Sequence, residues 1–171
     1  MIENPNPSLI ERSGLKHTFD DSTSELMESF TRNDSNYDHV DIYEVFDLIR
    51  DIKDPEHPYS IECLKIVDLE SVKVETNPHA IRVTYRPTIP HCSQATLIGL
   101  MIYMKIRQNV PMNYKIFVQI EKGYHDSEEA INKQLADKER VSAALENPNL
   151  MNMIDEAIYG YVPPDIIDLS I

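Results

Sequence analysis

The sequence predicts an α+β domain, with a small sheet of about three strands, helices packed on one face of it, and a helical C-terminal third. Clean alternation of apolar and polar residues is confined to a few short stretches, of which residues 79–86 are the clearest. Apolar residues recur at helical spacing over residues 42–52 and again over residues 126–159. A few short strands with helices beside them are typical of the α+β class.

The composition indicates one globular domain and narrows the classes of function. A chain of 171 residues can bury a core without disulfide support. The two cysteines, Cys63 and Cys92, exclude a disulfide scaffold and are typical of a reducing cytosol. The net charge of −13 argues against charge-driven binding to nucleic acid or anionic membranes. No apolar run reaches the roughly 18 residues of a membrane span, and the N-terminus does not resemble a signal peptide.

The chain divides into three predicted regions. Residues 1–39 are polar and acidic, so we expect a disordered tail in which residues 25–30 are the one candidate helix. Residues 40–160 form the single α+β domain. Residues 161–171, with two prolines near their start, are expected to be an exposed tail.

The domain begins with an amphipathic helix. Asp41 and Glu44 have the spacing of a capping box, and apolar residues follow from Ile42 at helical intervals to about Ile52. The sequence Asp-Pro-Glu-His-Pro at residues 54–58 then breaks the helix.

Three further segments are predicted to supply the sheet. Residues 64–74 indicate one bent strand or two short ones. Residues 79–86 place three apolar side chains on one face of a second strand, and residues 114–120 predict a third. Between the second and third strands, residues 95–106 predict a buried helix in which Gly99 permits close packing, and Pro111 ends that element.

Three short helices are predicted in the C-terminal third. Asp126 with Glu129 is expected to cap the first helix, Asp137 the second, and Asn147 followed by Pro148 the third. Gly160 is expected to end the last helix. The side chains expected to face the sheet are Ile131, Leu135, Val141, Leu145, Leu150 and Ile154.

Cys92 is the candidate functional residue. It stands just before the predicted buried helix, so that Cys92 or Ser93 is expected at the N-cap. The positive end of the helix dipole and the neighbouring His91 would both favour the thiolate, which is the form that attacks electrophiles and binds metals. The alternative is a buried structural cysteine.

A thiol enzyme, either a hydrolase or a redox protein, is the runner-up hypothesis. Such an enzyme needs a base at the sulfur and oxyanion donors. His91 adjoins Cys92 and would point away from it, whereas His57 or His125 could reach it only through the fold. The chain has four glycines and no glycine-rich phosphate loop.

A stable metal site is not indicated. Usable ligand types are present, but none of them has a ligand-pair spacing such as C-x-x-C or H-x-x-x-H. A transient or shared site through Cys92 remains the open alternative. The ligand types considered are Cys92, His91, His57, Cys63, His125 and Glu129.

Four spaced motifs together resemble one eukaryotic family, the component-two family of the cytosolic iron–sulfur assembly (CIA) targeting complex. The motifs are DPEHP at residues 54–58, PTIPHCS at 87–93, ATLIGL at 95–100 and NKQLADKERV at 132–141. The resemblance spans about residues 40–158. The DPEHP loop is more similar to the branch that serves nuclear and cytosolic clients than to the branch tied to iron regulation.

The resemblance implies an adaptor, not an enzyme, with a small α+β fold shared with SufT-like and PaaD-like proteins. Family members join a WD-repeat propeller protein and a HEAT-repeat protein, and help to pass iron–sulfur clusters to apo-proteins such as DNA polymerases, helicases and primase. This role implies a cytoplasmic and nuclear location and a link to chromosome partition. No tightly bound cofactor is expected, only a transient iron–sulfur cluster.

The family's reactive cysteine corresponds to Cys92, and Cys63 is assigned to packing. His91 and Ser93 beside the thiol, with Asp54, Glu56 and His57 of the DPEHP motif, are expected to support it. One thiolate is too few to hold a cluster alone but enough to share one during transfer.

A mixed-charge patch is expected on the outer face of the C-terminal helices, formed by Lys133, Lys138, Glu139 and Arg140. The resemblance is strong there and favours partner binding, although a solvated helix face is the ordinary alternative. A three-stranded sheet also has exposed edges, so pairing between two copies of the chain into a homodimer is a further prediction.

Overall fold

The computed structural model describes residues 9–10 and 40–160. The regions predicted as tails, and the candidate helix at residues 25–30, lie outside the described residues apart from Leu9 and Ile10. The elements in chain order are α1 Ile42–Arg50, β1 Val72–Thr76, β2 His79–Tyr85, α2 Ala95–Asn109, β3 Lys115–Ile120, α3 Glu128–Ala136, α4 Lys138–Leu145 and α5 Pro148–Tyr159.

The three strands form one mixed sheet in the order β1-β2-β3, which confirms the predicted α+β class. β1 pairs antiparallel with β2, placing Val74 opposite Ile81, and β3 pairs parallel with β2, placing Val118 opposite Val83. A parallel pair needs a long crossover connection, and the chain between β2 and β3 contains α2.

One face of the sheet is buried under the helices and the other is solvated. In β2 the side chains of Ile81, Val83 and Tyr85 are fully buried. On the opposite face Arg82 is exposed and lies over the ring of Phe117, which is 39% exposed. The alternation predicted for the second strand is therefore confirmed.

The strand predicted over residues 64–74 is wrong for most of its length. Lys65 has a positive φ of 58°, and residues 69–71 form a 3₁₀ turn, so that β1 begins only at Val72. The turn is held by a reciprocal pair: the Asp68 carboxylate accepts from the Ser71 amide at 2.9 Å, and Ser71 Oγ accepts from the Asp68 amide at 3.1 Å. Such local side-chain bonds compete with pairing in a sheet.

Most of the predicted helix ends are confirmed. Asp41 and Glu44 form a complete capping box on α1, and Asp137 accepts from two amides of α4. Asn147 caps α5, and Gly160 ends it with a φ of 78°. The predicted Asp126 cap of α3 is wrong, because Ser127 occupies the N-cap without a side-chain bond.

The core lies between the sheet and the helices. Ile131, Leu135, Val141 and Ile154 are buried, whereas Leu145 and Leu150 are half-buried against the same core. Gly99 lets α2 approach its neighbours, since a Cβ there would lie 2.6 Å from Leu135 Cδ1 and 2.9 Å from the Tyr85 hydroxyl. Over the described residues, no helix combines the length and apolar character that crossing a membrane requires.

Candidate functional site

Cys92 lies in the loop between β2 and α2, residues 86–94, called here the cysteine loop. Its side chain is buried, with 5% of the residue exposed. The N-cap of α2 is Gln94, whose side chain makes no capping hydrogen bond. The prediction that Cys92 or Ser93 is the N-cap is therefore wrong. Two turn bonds explain the shift: the Cys92 amide donates to Ile89 O at 3.2 Å, and the Ala95 amide donates to Cys92 O at 3.3 Å.

The surroundings of the sulfur raise the pKa of the Cys92 thiol. Burial is the largest cause, and the carboxylates of Glu56 and Asp54 raise the pKa further. The main-chain amides of Gln94 and Ala95 lower the pKa, which is the direction that the predicted helix-start effect implies. The balance favours the thiol, so the prediction that this position favours the thiolate is wrong.

His91 was predicted to favour the Cys92 thiolate, but the structure places its ring elsewhere. Its side chain is 80% exposed, and its Nδ1 lies 2.6 Å from Asp126 Oδ2. This pair joins the cysteine loop to the loop between β3 and α3, residues 121–127. The Asp126 carboxylate, which was predicted to cap α3, thus contacts His91.

The DPEHP motif, residues 54–58, forms an acidic loop beside the cysteine loop. Asp54 is 8% exposed, and its Oδ1 accepts from the amides of Glu56 and His57, both at 2.9 Å. Ser93 Oγ lies 3.4 Å from Glu56 Oε1. The structure therefore brings Asp54, Glu56 and Ser93 to the thiol, while the described contact of His57 is through its main-chain amide.

His125 reaches Cys92 through its carbonyl group. The Ser127 amide donates to His125 Nδ1 at 3.0 Å, which leaves Nε2 as the protonated nitrogen. That Nε2 lies 3.1 Å from Cys92 O and donates to it. His125 thus fixes the position of the cysteine loop, and a base acting on the sulfur would need a different placement of its ring.

Tyr85 lies beneath the site and was not singled out from the sequence. Its hydroxyl donates to Ala95 O at 2.7 Å, which fixes the first turn of α2. Burial, and then the charge of a Cys92 thiolate, raise the Tyr85 pKa. The alternation of β2 predicted that Tyr85 is buried, but the partner of its hydroxyl depends on where the fold places α2.

The described residues around Cys92 offer one thiol and no cluster of metal ligands. Among residues 9–10 and 40–160, no three His, Cys, Asp or Glu side chains are grouped so as to hold a metal ion. Cys63 is half-buried; its carbonyl accepts from the Ile10 amide at 3.0 Å, and its amide donates to Ser60 Oγ at 3.3 Å. These main-chain contacts are compatible with the packing role predicted for Cys63.

The motif at residues 132–141 has a structural part and an exposed part. Asn132 Oδ1 accepts from the Ile120 amide at 2.7 Å, and Asn132 Nδ2 donates to Ile120 O at 3.2 Å. Leu135 and Val141 are buried and Asp137 caps α4, so packing explains more of this motif than the sequence suggested. The predicted partner-binding side chains, Lys133, Lys138, Glu139 and Arg140, are all exposed.

Comparisons with known proteins find close relatives. The chain is 43% identical over 159 residues to the cytosolic iron–sulfur assembly component 2B of Mus musculus, covering 92% of this chain and 91% of the relative. It is 39% identical over 160 residues to the protein of the same name in Dictyostelium discoideum, covering 92% and 98%. It is 43% identical over 158 residues to the MIP18 family protein galla-2 of Drosophila melanogaster, covering 92% and 95%.

No protein-family model matches the chain. The three relatives nevertheless align along nearly their whole lengths, well above the identity at which a common fold and ancestry are in question. Two of them are named as a cytosolic iron–sulfur assembly component, and the third is named as an MIP18 family protein. The chain therefore belongs to the MIP18 family, the family of cytosolic iron–sulfur assembly component 2.

Proposed function

We propose that this chain is an adaptor subunit of the cytosolic iron–sulfur targeting complex and helps to transfer clusters to apo-proteins through Cys92. Membership of the family supports the assembly role. The observation that carries the finer proposal is the placement of Cys92, a buried thiol just before the first turn of a buried helix, where the charges of Glu56 and Asp54 from the acidic loop act on it.

The proposed role of the thiol is to act as a transient ligand. Iron–sulfur clusters are held by thiolates, so Cys92 must lose its proton before it can contact the cluster, which is the cargo. In the isolated chain, burial and the carboxylates of Asp54 and Glu56 oppose that loss. Displacement of the acidic loop by a partner would remove the effect of the two carboxylates and leave the Gln94 and Ala95 amides to favour the thiolate against burial alone.

The same geometry supports the adaptor over the runner-up, a thiol enzyme. A nucleophilic cysteine needs a base close to its sulfur. Here His125 donates to the Cys92 carbonyl and His91 lies against Asp126, while two carboxylates raise the thiol pKa. A thiol that is protonated until a partner arrives suits regulated transfer better than turnover.

The proposed partners are a WD-repeat propeller protein, a HEAT-repeat protein and apo iron–sulfur clients, in the cytosol and nucleus. The exposed patch of Lys133, Lys138, Glu139 and Arg140 is the proposed contact surface for one of the two scaffold proteins. Nucleic acid and membranes are not proposed as direct partners, because the net charge of −13 opposes both.

The test is affinity purification of the tagged full chain from its native host. We expect recovery of a WD-repeat protein and a HEAT-repeat protein in stoichiometric amounts, together with enzymes that carry iron–sulfur clusters. Recovery of neither scaffold protein, or measurable ester or disulfide turnover by the purified chain, would contradict the proposal.

A further inference from the structure

Strand β3 has an open edge with unused hydrogen-bonding groups. The Glu121 amide donates to Tyr85 O at the end of β2, and the main chains of successive strand residues turn to alternate edges. Ile116, Val118 and Ile120 therefore turn theirs away from β2. The amides and carbonyls of Ile116 and Val118 have no partner among residues 9–10 and 40–160.

Side chains close both ends of this open stretch. Asn132 takes the amide of Ile120 at 2.7 Å and its carbonyl at 3.2 Å. At the other end the Arg107 guanidinium donates to Tyr114 O at 3.3 Å. The two free amides and two free carbonyls lie between these ends. In antiparallel pairing, two alternate residues of an added strand would take all four groups, so a segment of about five residues fits the opening.

A groove of about 420 Å³ runs along the open edge. Its walls include the side chains of Tyr103 in α2, Leu135 in α3 and Val141 in α4. Val118 is buried and Ile116 half-buried on the face of the sheet that packs against the helices. Because opposed residues of an antiparallel pair point to the same face, the two bonded residues of an added strand would direct their side chains to this apolar wall. Hydrogen bonds from the edge and a groove for alternate side chains are what β-strand addition requires.

The charge of the groove indicates what kind of strand fits. Among the described residues that line it, Arg107, Lys115 and Lys138 are basic and none is acidic, in a chain whose net charge is −13. Arg107 donates to the carbonyls of Val110 and Tyr114, and neither of these neutralises its charge. Lys115 is exposed at the start of β3, where the last residue of an added strand would lie opposite it. A strand with carboxylates between its apolar residues therefore fits, whereas a second copy of this edge would bring like charges together.

We propose that the open edge of β3 binds an extended acidic segment of a partner protein, which adds to the sheet as a short antiparallel fourth strand. Apolar side chains of the segment enter the groove opposite Ile116 and Val118. The carboxylates between them lie on the solvated face of the sheet, the end one beside Lys115. The added strand would cover an edge that is otherwise open to unintended pairing. The proposal uses no contact of Cys92 and goes beyond the proposed function.

The test is an NMR titration of the isotope-labelled full chain with the blocked peptide acetyl-Glu-Val-Glu-Val-Glu-amide. In the free chain the Ile116 and Val118 amides should exchange with solvent without protection. Millimolar peptide should shift both amide signals saturably, and a large excess should slow their exchange about tenfold. The Ile120 amide, already bonded to Asn132, is the internal reference and should keep its exchange rate.

Two modified peptides separate the hydrogen bonds from the charge. N-methylation of both valines removes the donors to Ile116 O and Val118 O but keeps the side chains, and it should abolish the shifts and the protection. The peptide acetyl-Gln-Val-Gln-Val-Gln-amide has the same shape without charge and should bind about threefold more weakly or worse. Equal binding of the N-methylated peptide would overturn strand addition, and equal binding of the glutamine peptide would overturn the preference for an acidic segment.

A pair of charge reversals in the chain completes the test. Lys115→Glu should weaken binding of the acidic peptide about fivefold. Lys73→Glu is the matched control, because Lys73 is exposed on β1 at the other side of the sheet and its reversal changes the net charge equally. Lys138 is left unchanged because it also belongs to the mixed-charge patch.

Three results would overturn the proposal. The first is no shift of the Ile116 and Val118 amides with the acidic peptide, and the second is equal weakening by Lys115→Glu and Lys73→Glu. The third is protection of both amides in the free chain. Protection that disappears on dilution would assign the edge to a second copy, and protection that persists on dilution would assign it to another segment of the same chain.

Discussion

Ser93 Oγ lies 3.4 Å from Glu56 Oε1, and this contact joins the cysteine loop to an acidic loop far from it in sequence. The same approach places the carboxylates of Glu56 and Asp54 close enough to raise the pKa of Cys92. Burial first, and then these two carboxylates from another part of the chain, favour the protonated form of the thiol. The proposed function requires a partner to reverse this arrangement.

Glu56→Gln is expected to lower the Cys92 pKa. The substitution keeps the side-chain shape and removes one of the two carboxylate charges that oppose ionisation. The measurement is the pH dependence of alkylation at Cys92 in a Cys63→Ala background. Glu139→Gln, which removes an exposed charge on α4, is the control. An unchanged Cys92 pKa in Glu56→Gln would show that the Glu56 charge does not contribute to it.

The raised thiol pKa also predicts how stability depends on pH. A thiol with a higher pKa in the folded than in the unfolded chain stabilises the fold below about pH 8.5, and that contribution is lost as the pH rises through the folded-state pKa. The wild type should therefore lose stability relative to Cys92→Ala as the pH rises above about 8.5. Chemical denaturation across this range measures the difference, and parallel curves for the two proteins would contradict the prediction.

Much of the fold can be predicted from patterns among residues that are close together in the sequence. The capping box of Asp41 and Glu44, the cap by Asp137 and the alternation in β2 depend on residues a few positions apart, and each is confirmed. The strand predicted over residues 64–74 fails because Asp68 and Ser71 bond to each other's main chain, an alternative that hydrophobic patterning does not register.

The electrostatics of the site could not be predicted in the same way. The motifs around Asp54 and Cys92 were recognised, but their contact depends on the tertiary fold. The sign of the Cys92 shift follows from burial and from Glu56, neither of which sequence spacing reveals. His91 was expected to aid the thiolate, yet the fold places its ring against Asp126.

Asn132→Ala is expected to destabilise the domain by about 1–3 kcal/mol. The side chain provides both hydrogen bonds to Ile120 at the partly buried end of β3, and its loss leaves an amide and a carbonyl without those partners. Urea denaturation measures the change in the free energy of unfolding. Gln134→Ala, exposed on the same helix, should change it by no more than about 0.5 kcal/mol. Equal effects of the two substitutions would show that the hydrogen bonds from Asn132 to Ile120 do not stabilise the domain.

Reversal of the two basic residues Lys138 and Arg140 to Glu should weaken partner binding and leave the fold intact. Both side chains are exposed, so the expected change in stability is within about 0.5 kcal/mol. A desolvated charge at an interface can be worth about 2–5 kcal/mol of binding free energy. Calorimetry with the purified WD-repeat and HEAT-repeat partners measures the effect. Unchanged affinity for both partners would show that this patch is a solvated helix face that contacts neither partner.

The central claim is that the Cys92 thiol takes part in cluster transfer, and its most direct test is cluster loading of client enzymes in cells that depend on this chain. Cells expressing Cys92→Ala should incorporate radioactive iron into a client enzyme at the level of cells lacking the chain, although the variant folds and binds its partners. Cys63→Ala, which removes the other thiol, should restore incorporation fully. Full incorporation with Cys92→Ala would contradict the account and leave Cys92 with a packing role only.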